Sequence, residues 1–96
     1  MLQQITIQSE STIDLKPLLE TAIQGELRNI QHGINLTRAR LEAFEKQHSM
    51  TTDEFLRRFN PGDLAETLDF IDWHGEIKML ALLEEKKKAL EGAQVK

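Results

Sequence analysis

Three histidines, His32, His48 and His74, are the only imidazoles in this 96-residue sequence, and no cysteine accompanies them. No H-E-x-x-H pattern occurs and no second histidine sits at ligand spacing, so zinc chemistry has no framework here. Glu45-x-x-His48 is half of the motif that di-iron helical bundles build from repeats on several helices, and no second copy follows it. Asp69, Asp72 and Glu76 stand at i, i+3 and i+7, which makes one acidic helix stripe; a solvated face accounts for it better than a general acid/base pair does. Arg28 precedes His32 by three intervening residues and Arg40 precedes His48 by seven, so the helical Arg-x(4–6)-His nuclease spacing fails twice. No G-x-S-x-G elbow, P-loop or glycine-rich phosphate cradle is present. The expectation is a protein that is not an enzyme, with no catalytic residue, metal ligand or cofactor.

The elements that carry these residues are helical. A chain of this length makes one domain and buries a small share of its surface, so help from a second chain is plausible. Apolar residues at 40% against a net charge of −4 fit a folded chain rather than a disordered one. The pI near 5.3 opposes wrapping of nucleic acid or binding to an anionic membrane, both of which need clustered Lys and Arg. The absence of cysteine excludes a disulfide framework, and residues 1–10 are too polar for a signal peptide. No apolar run approaches the length of a membrane span, which leaves the cytoplasm as the simplest compartment.

The pattern predicts an all-α fold in one domain: an arm over 1–14, a long helix over 15–48, a short helix over 52–60 and a C-terminal helix over 64–91, arranged as an antiparallel helical hairpin or coiled-coil bundle. In the arm, the Ile5/Ile7 alternation reads as a short strand that either pairs with its copy in a dimer or frays. Asp14, Lys16 and Pro17 open the long helix, where Pro is tolerated in the first turn. Ile23, Leu27, Ile30, Ile34, Thr37, Leu41, Phe44 and His48 then follow at alternating steps of four and three, the rhythm of a coiled-coil seam. From Pro17 to Gln47 such a helix is roughly 46 Å long and needs a facing helix. The expectation is self-association as a dimer or higher oligomer through Ile23, Leu27, Ile30, Ile34, Leu41 and Phe44. Arg40 and Glu45 flank the seam as cross-interface partners, and Arg38 with Glu42 is an i,i+4 pair. Gly33, beside the seam, marks a close backbone approach or is a tolerated helical glycine.

Thr51 and Glu54 form a capping box, with Met50 and Phe55 as a hydrophobic staple, so the chain breaks at His48-Ser49 and restarts at Thr52. Asn60-Pro61-Gly62 stops the short helix, whose apolar face is Phe55, Leu56 and Phe59. In the last helix Leu64, Leu68, Ile71, Trp73, Ile77, Leu80 and Leu83 recur at short helical steps, with Asp63 or Thr67 as the cap. Phe70 and Met79 fall off that stripe, so the helix is apolar over a wide arc that fits the long helix and something else. The run from Glu84 to Lys88 is a solvated face, its lysines placed favourably near the helix C-terminus. Trp73, the only tryptophan, is either a core residue or a partner anchor.

Phe44, Glu45, His48, Met50, Thr51, Glu54, Phe55, Phe70 and Trp73 together resemble a pattern found in small bacterial and cyanobacterial antitoxin-like proteins, over the C-terminal half of the chain. That resemblance implies a helical body that wraps and masks a cognate toxin, with Phe55, Phe59, Phe70 and Trp73 as partner-binding positions. The alternative is a ribbon-helix-helix-like DNA-binding dimer, whose strand would be Ile5–Gln8. Only Lys16 is basic before Arg28, so nucleic acid is a poor match. The least favoured reading is a helical-bundle metal enzyme built on Glu45 and His48. The reading favoured is a non-catalytic protein-protein interaction module, antitoxin-like or an adaptor.

Overall fold

A computed structural model of the chain describes residues 4–93. Three helices occupy Leu15–His48 (α1), Thr52–Phe59 (α2) and Leu68–Glu91 (α3), and no strand occurs among the described residues. The fold is all-α, and α3 runs back along α1 as a helical hairpin. The arm over 4–14 is irregular, and Ile5 and Ile7 are exposed rather than paired. An isolated strand has no edge to donate to, and local bonds replace a ladder: the N–H of Ser11 donates to Ser9 Oγ and that of Ile13 to Ser11 Oγ. The first three residues of the predicted arm lie outside the described ones.

α1 starts where Asp14 caps it, Oδ1 accepting from the N–H of Lys16 at 3.1 Å. It covers the predicted 15–48. Its heptad positions are buried at Ile30, Ile34, Thr37 and Leu41 and half-buried at Ile23, Leu27, Phe44 and His48. What covers them is α3 of the same chain, the main tertiary contact of the fold. Gly33 is the close approach: a Cβ there would stand 3.3 Å from Leu83 Cδ1. The flanking charges also serve the hairpin. Arg38 bonds Glu84 and Arg40 bonds Glu76, each at 3.2 Å, in place of the expected pairing of Arg38 with Glu42 and of Arg40 with Glu45. Exposed pairs of this kind contribute at most about 1 kcal/mol each.

The turn into α2 is built as its sequence requires. Ser49 closes α1 in the left-handed region at φ 50° and ψ 46°. Thr51 Oγ1 accepts from the N–H of Glu54 at 3.1 Å, the N-cap half of the capping box. Glu45, reaching across from α1, takes a further orphan donor: its Oε2 accepts from the N–H of Thr52 at 2.7 Å. Met50 packs on the cluster formed by Leu41, Phe55 and Trp73. After α2, Gly62 turns the chain at φ 86° and the N–H of Asp63 donates to the carbonyl of Arg58. Asp63 is thereby held in the turn. The cap of α3 is Thr67, whose Oγ1 accepts from the N–H of Phe70, so α3 begins at Leu68 rather than at 64.

The result is a rod measuring 60 × 24 × 18 Å, with a radius of gyration of 18.9 Å. A compact domain of this size has about 13 Å. One helix pair, thickened at one end by α2, is the whole body.

Left-handed backbone at a residue with a Cβ costs about 1–2 kcal/mol. Ser49→Gly is therefore expected to raise stability by about 0.5–1 kcal/mol, roughly 4–8 °C in Tm per kcal/mol. Thermal denaturation followed by circular dichroism checks it, and a lower Tm would show that the serine is held by something other than the turn.

Candidate functional site

The aromatic residues of all three helices meet at the end of the hairpin that α2 caps. Phe55 comes from the apolar face of α2 and Trp73 from the second turn of α3; their rings stack at 4.1 Å with 5° between planes. Phe44 of α1 lies parallel to Trp73 at 5.6 Å. His48 stands 5.8 Å from Trp73 and 5.0 Å from Phe70, and Phe59 lies 5.0 Å from Phe55 and 5.2 Å from His74. The indole Nε1–H donates to Thr52 Oγ1 at 3.3 Å, so the polar edge of the ring is also provided for. Phe55 and Trp73 are 0% exposed, while Phe59 and Phe70 are half-buried. The four positions expected to bind a partner are thus brought together, but as the core of this chain. Phe55 and Trp73 have no surface to offer a partner.

The polar groups near this cluster are committed to holding helices. Glu45 serves the start of α2, and His48 Nε2 lies 3.3 Å from Asp69 Oδ2 without a well-directed hydrogen bond. That same Oδ2 accepts from Gln47 Nε2 at 2.9 Å. Glu76 gives Oε1 to Arg40, and its buried Oε2 has no hydrogen-bond partner. No group of three or more His, Asp or Glu among the described residues is placed to hold a metal ion. What this arrangement does chemically is pin α1, α2 and α3 at one end.

The accessible apolar surface lies on the other side of α3. Leu68 is 81% exposed, Ile71 48%, Met79 46% and Leu82 45%, with Gly75 between them. Steps of three, four, four and three residues place them on one face, away from the face that buries Trp73 and half-buries Phe70, Ile77 and Leu80. This corrects the inward stripe expected for α3, to which Leu68 and Ile71 had been assigned. Phe70 takes the inward place instead, and Met79 stays outside it. The signal that could have separated the two faces is the phase set by Trp73, Ile77 and Leu80, from which Leu68 and Ile71 point away by more than a right angle. A groove between the helices, walled by Ala43 and Phe44 on α1 and by Ile71, Asp72 and Gly75 on α3, borders this face. The outer side of α1 carries Leu18 and Leu36 as isolated exposed residues.

No protein-family model, curated protein or solved structure matches the chain. Among the described residues no helix is long and apolar enough to cross a membrane.

Replacing Trp73 removes the ring against which Phe44 and Phe55 stack. Trp73→Ala is expected to cost about 3–5 kcal/mol, enough to unfold much of a protein this size. Urea denaturation checks it; a loss below about 1 kcal/mol would mean that the cluster can collapse around the vacancy and that α2 does not depend on it.

Proposed function

We propose that this chain is a non-catalytic protein-protein interaction module, an antitoxin-like or adaptor protein of the cytoplasm that forms a homo-oligomer and masks a surface of a partner protein. The observation that carries the reading is the apolar face of α3, with Leu68, Ile71, Met79 and Leu82 between 45% and 81% exposed on a helix whose opposite face already fills the core. A helix apolar on both sides is made to be covered twice. Contiguous exposed apolar surface on a small protein marks an interaction site more often than it marks nothing. The seam residues Ile23, Leu27, Ile30, Ile34, Leu41 and Phe44 support the module differently from the way their spacing suggested. Covered by α3, they make the hairpin that displays this face.

The irregular arm over 4–14, with Lys16 the single basic residue before Arg28, gives the DNA-binding alternative no support. Glu45 caps α2 and His48 stands beside Asp69, which gives the metal-enzyme alternative no support.

Tagged chain and a Leu68→Asp/Leu82→Asp variant, retrieved from cells under identical conditions, test the reading. Both positions are exposed, so the variant is expected to keep its helix content and a stability within about 0.5 kcal/mol at each site. Proteins co-purifying with the wild type and lost with the variant support an interaction module that works through α3; identical recoveries from the two would contradict it.

A further inference from the structure

Gly75 has no explanation within one chain. It sits in the middle of an exposed helical face, where glycine costs about 1 kcal/mol relative to alanine. A Cβ built on it would meet nothing within 4 Å, unlike Gly33, whose Cβ would press on Leu83. The residues around it are arranged symmetrically: Ile71 and Met79 stand four positions before and after Gly75, and Leu68 and Leu82 seven positions before and after it. At 100° per residue, Leu68 and Leu82 lie about 20° to either side of Gly75 and Ile71 and Met79 about 40° to either side. All five share an arc of about 80°.

We propose that a second copy of this chain covers the face, the two α3 helices packing antiparallel about a two-fold axis through Gly75. The proposal rests on the interaction-module reading and names the occupant of its surface. In that arrangement each Leu68 lies level with Leu82 of the other copy and each Ile71 with Met79, so the side chains of one helix fall beside those of the other in every layer. The two Gly75 backbones meet at the axis, where the missing side chain lets the helices close to the short end of the usual 8–10 Å separation. An isologous contact needs a self-complementary patch, and a pattern that reads the same in both directions from its centre supplies one.

Charge bears on the orientation as well. From Leu68 to Glu76, α3 carries Asp69, Asp72 and Glu76 and no lysine or arginine. Parallel packing in register would set Asp69 and Asp72 of each copy beside their own counterparts. Antiparallel packing about Gly75 instead sets Asp69 level with Ala81 and Asp72 level with Lys78 of the other copy, and it opposes the helix dipoles. Two hairpins joined in this way make a four-helix assembly in which both α3 helices are inside, the second layer that a single 24 Å by 18 Å rod lacks.

The absence of native cysteine makes the geometry testable by cross-linking. Under mild oxidation, Gly75→Cys chains should join to one another, because the axis brings the two positions within disulfide reach. Leu68→Cys and Leu82→Cys chains, distinguished by tag size, should cross-link when mixed and only weakly when each is alone. Sedimentation equilibrium should show a reversible dimer for the wild type and a monomer for Gly75→Leu. That variant should keep its helix content, since its side chain meets open space in the single chain. A wild type that remains monomeric throughout the concentration series, a Gly75→Leu chain that still dimerises, or Leu82→Cys that cross-links to itself more readily than to Leu68→Cys would each overturn the proposal. A monomeric chain that nevertheless captures a different protein through Leu82 overturns the self-pairing and leaves the interaction-module reading standing.

Discussion

A helix of 34 residues with one apolar seam has to be covered once along most of its length, and in this chain the cover is α3. Everything else follows from that choice. Because α3 has only 24 residues, it spans the seam from His48 back to about Ile23 and leaves the first turns of α1 uncovered. The pair alone encloses Ile34 and Thr37, but it is a single layer, and an aromatic side chain is fully enclosed only where a third element arrives. That element is α2, and the place where it arrives holds Phe55 and Trp73, the two aromatic residues with no exposure.

The connection between α1 and α2 shows how local bonding serves this packing. The left-handed Ser49, the Thr51 cap and the Glu45 carboxylate on the N–H of Thr52 together fix the angle at which α2 leaves α1. Thr52 is bound at both ends, its N–H to Glu45 and its hydroxyl to the Trp73 indole. One residue thereby links the start of α2 to both long helices. Groups that looked like half of a metal motif, Glu45 and His48, are used here as mechanical parts: one is a cap, and the other an edge of the aromatic cluster.

Much of the architecture was legible in the residues. The bounds of α1, the break at Ser49 and the cap at Thr51 rest on short-range rules of capping and periodicity, and the structure keeps all three. The start of α3 shifted by a turn, because two residues able to cap, Asp63 and Thr67, were available and only the geometry after Gly62 decides between them. The seam on α1 was correctly phased, but periodicity says which face is buried and not which chain buries it. The place of the aromatic residues, core or partner contact, is undecided in the sequence for a related reason. Phe55 and Trp73 are large apolar groups wherever they sit, and only the arrival of α2 makes them interior. The exposed face of α3 was visible merely as excess width, since steps of three and four alone do not separate Leu68 and Ile71 from the inward side until the phase of Trp73, Ile77 and Leu80 is fixed.

The claim on which the account depends is that α1 and α3 meet within one chain. Spin labels at Gln24→Cys and Glu91→Cys, two positions on the rim of one groove at the open end of the hairpin, report on it directly. Pulsed electron resonance on doubly labelled chain diluted into excess unlabelled chain reads the distance inside a single molecule, whatever assembly it joins. The account predicts one short, narrow distance that dilution leaves unchanged. A signal that vanishes on dilution with unlabelled chain, or a long and broad distribution, would mean that the seam of α1 is covered by another molecule and that the hairpin does not exist in solution.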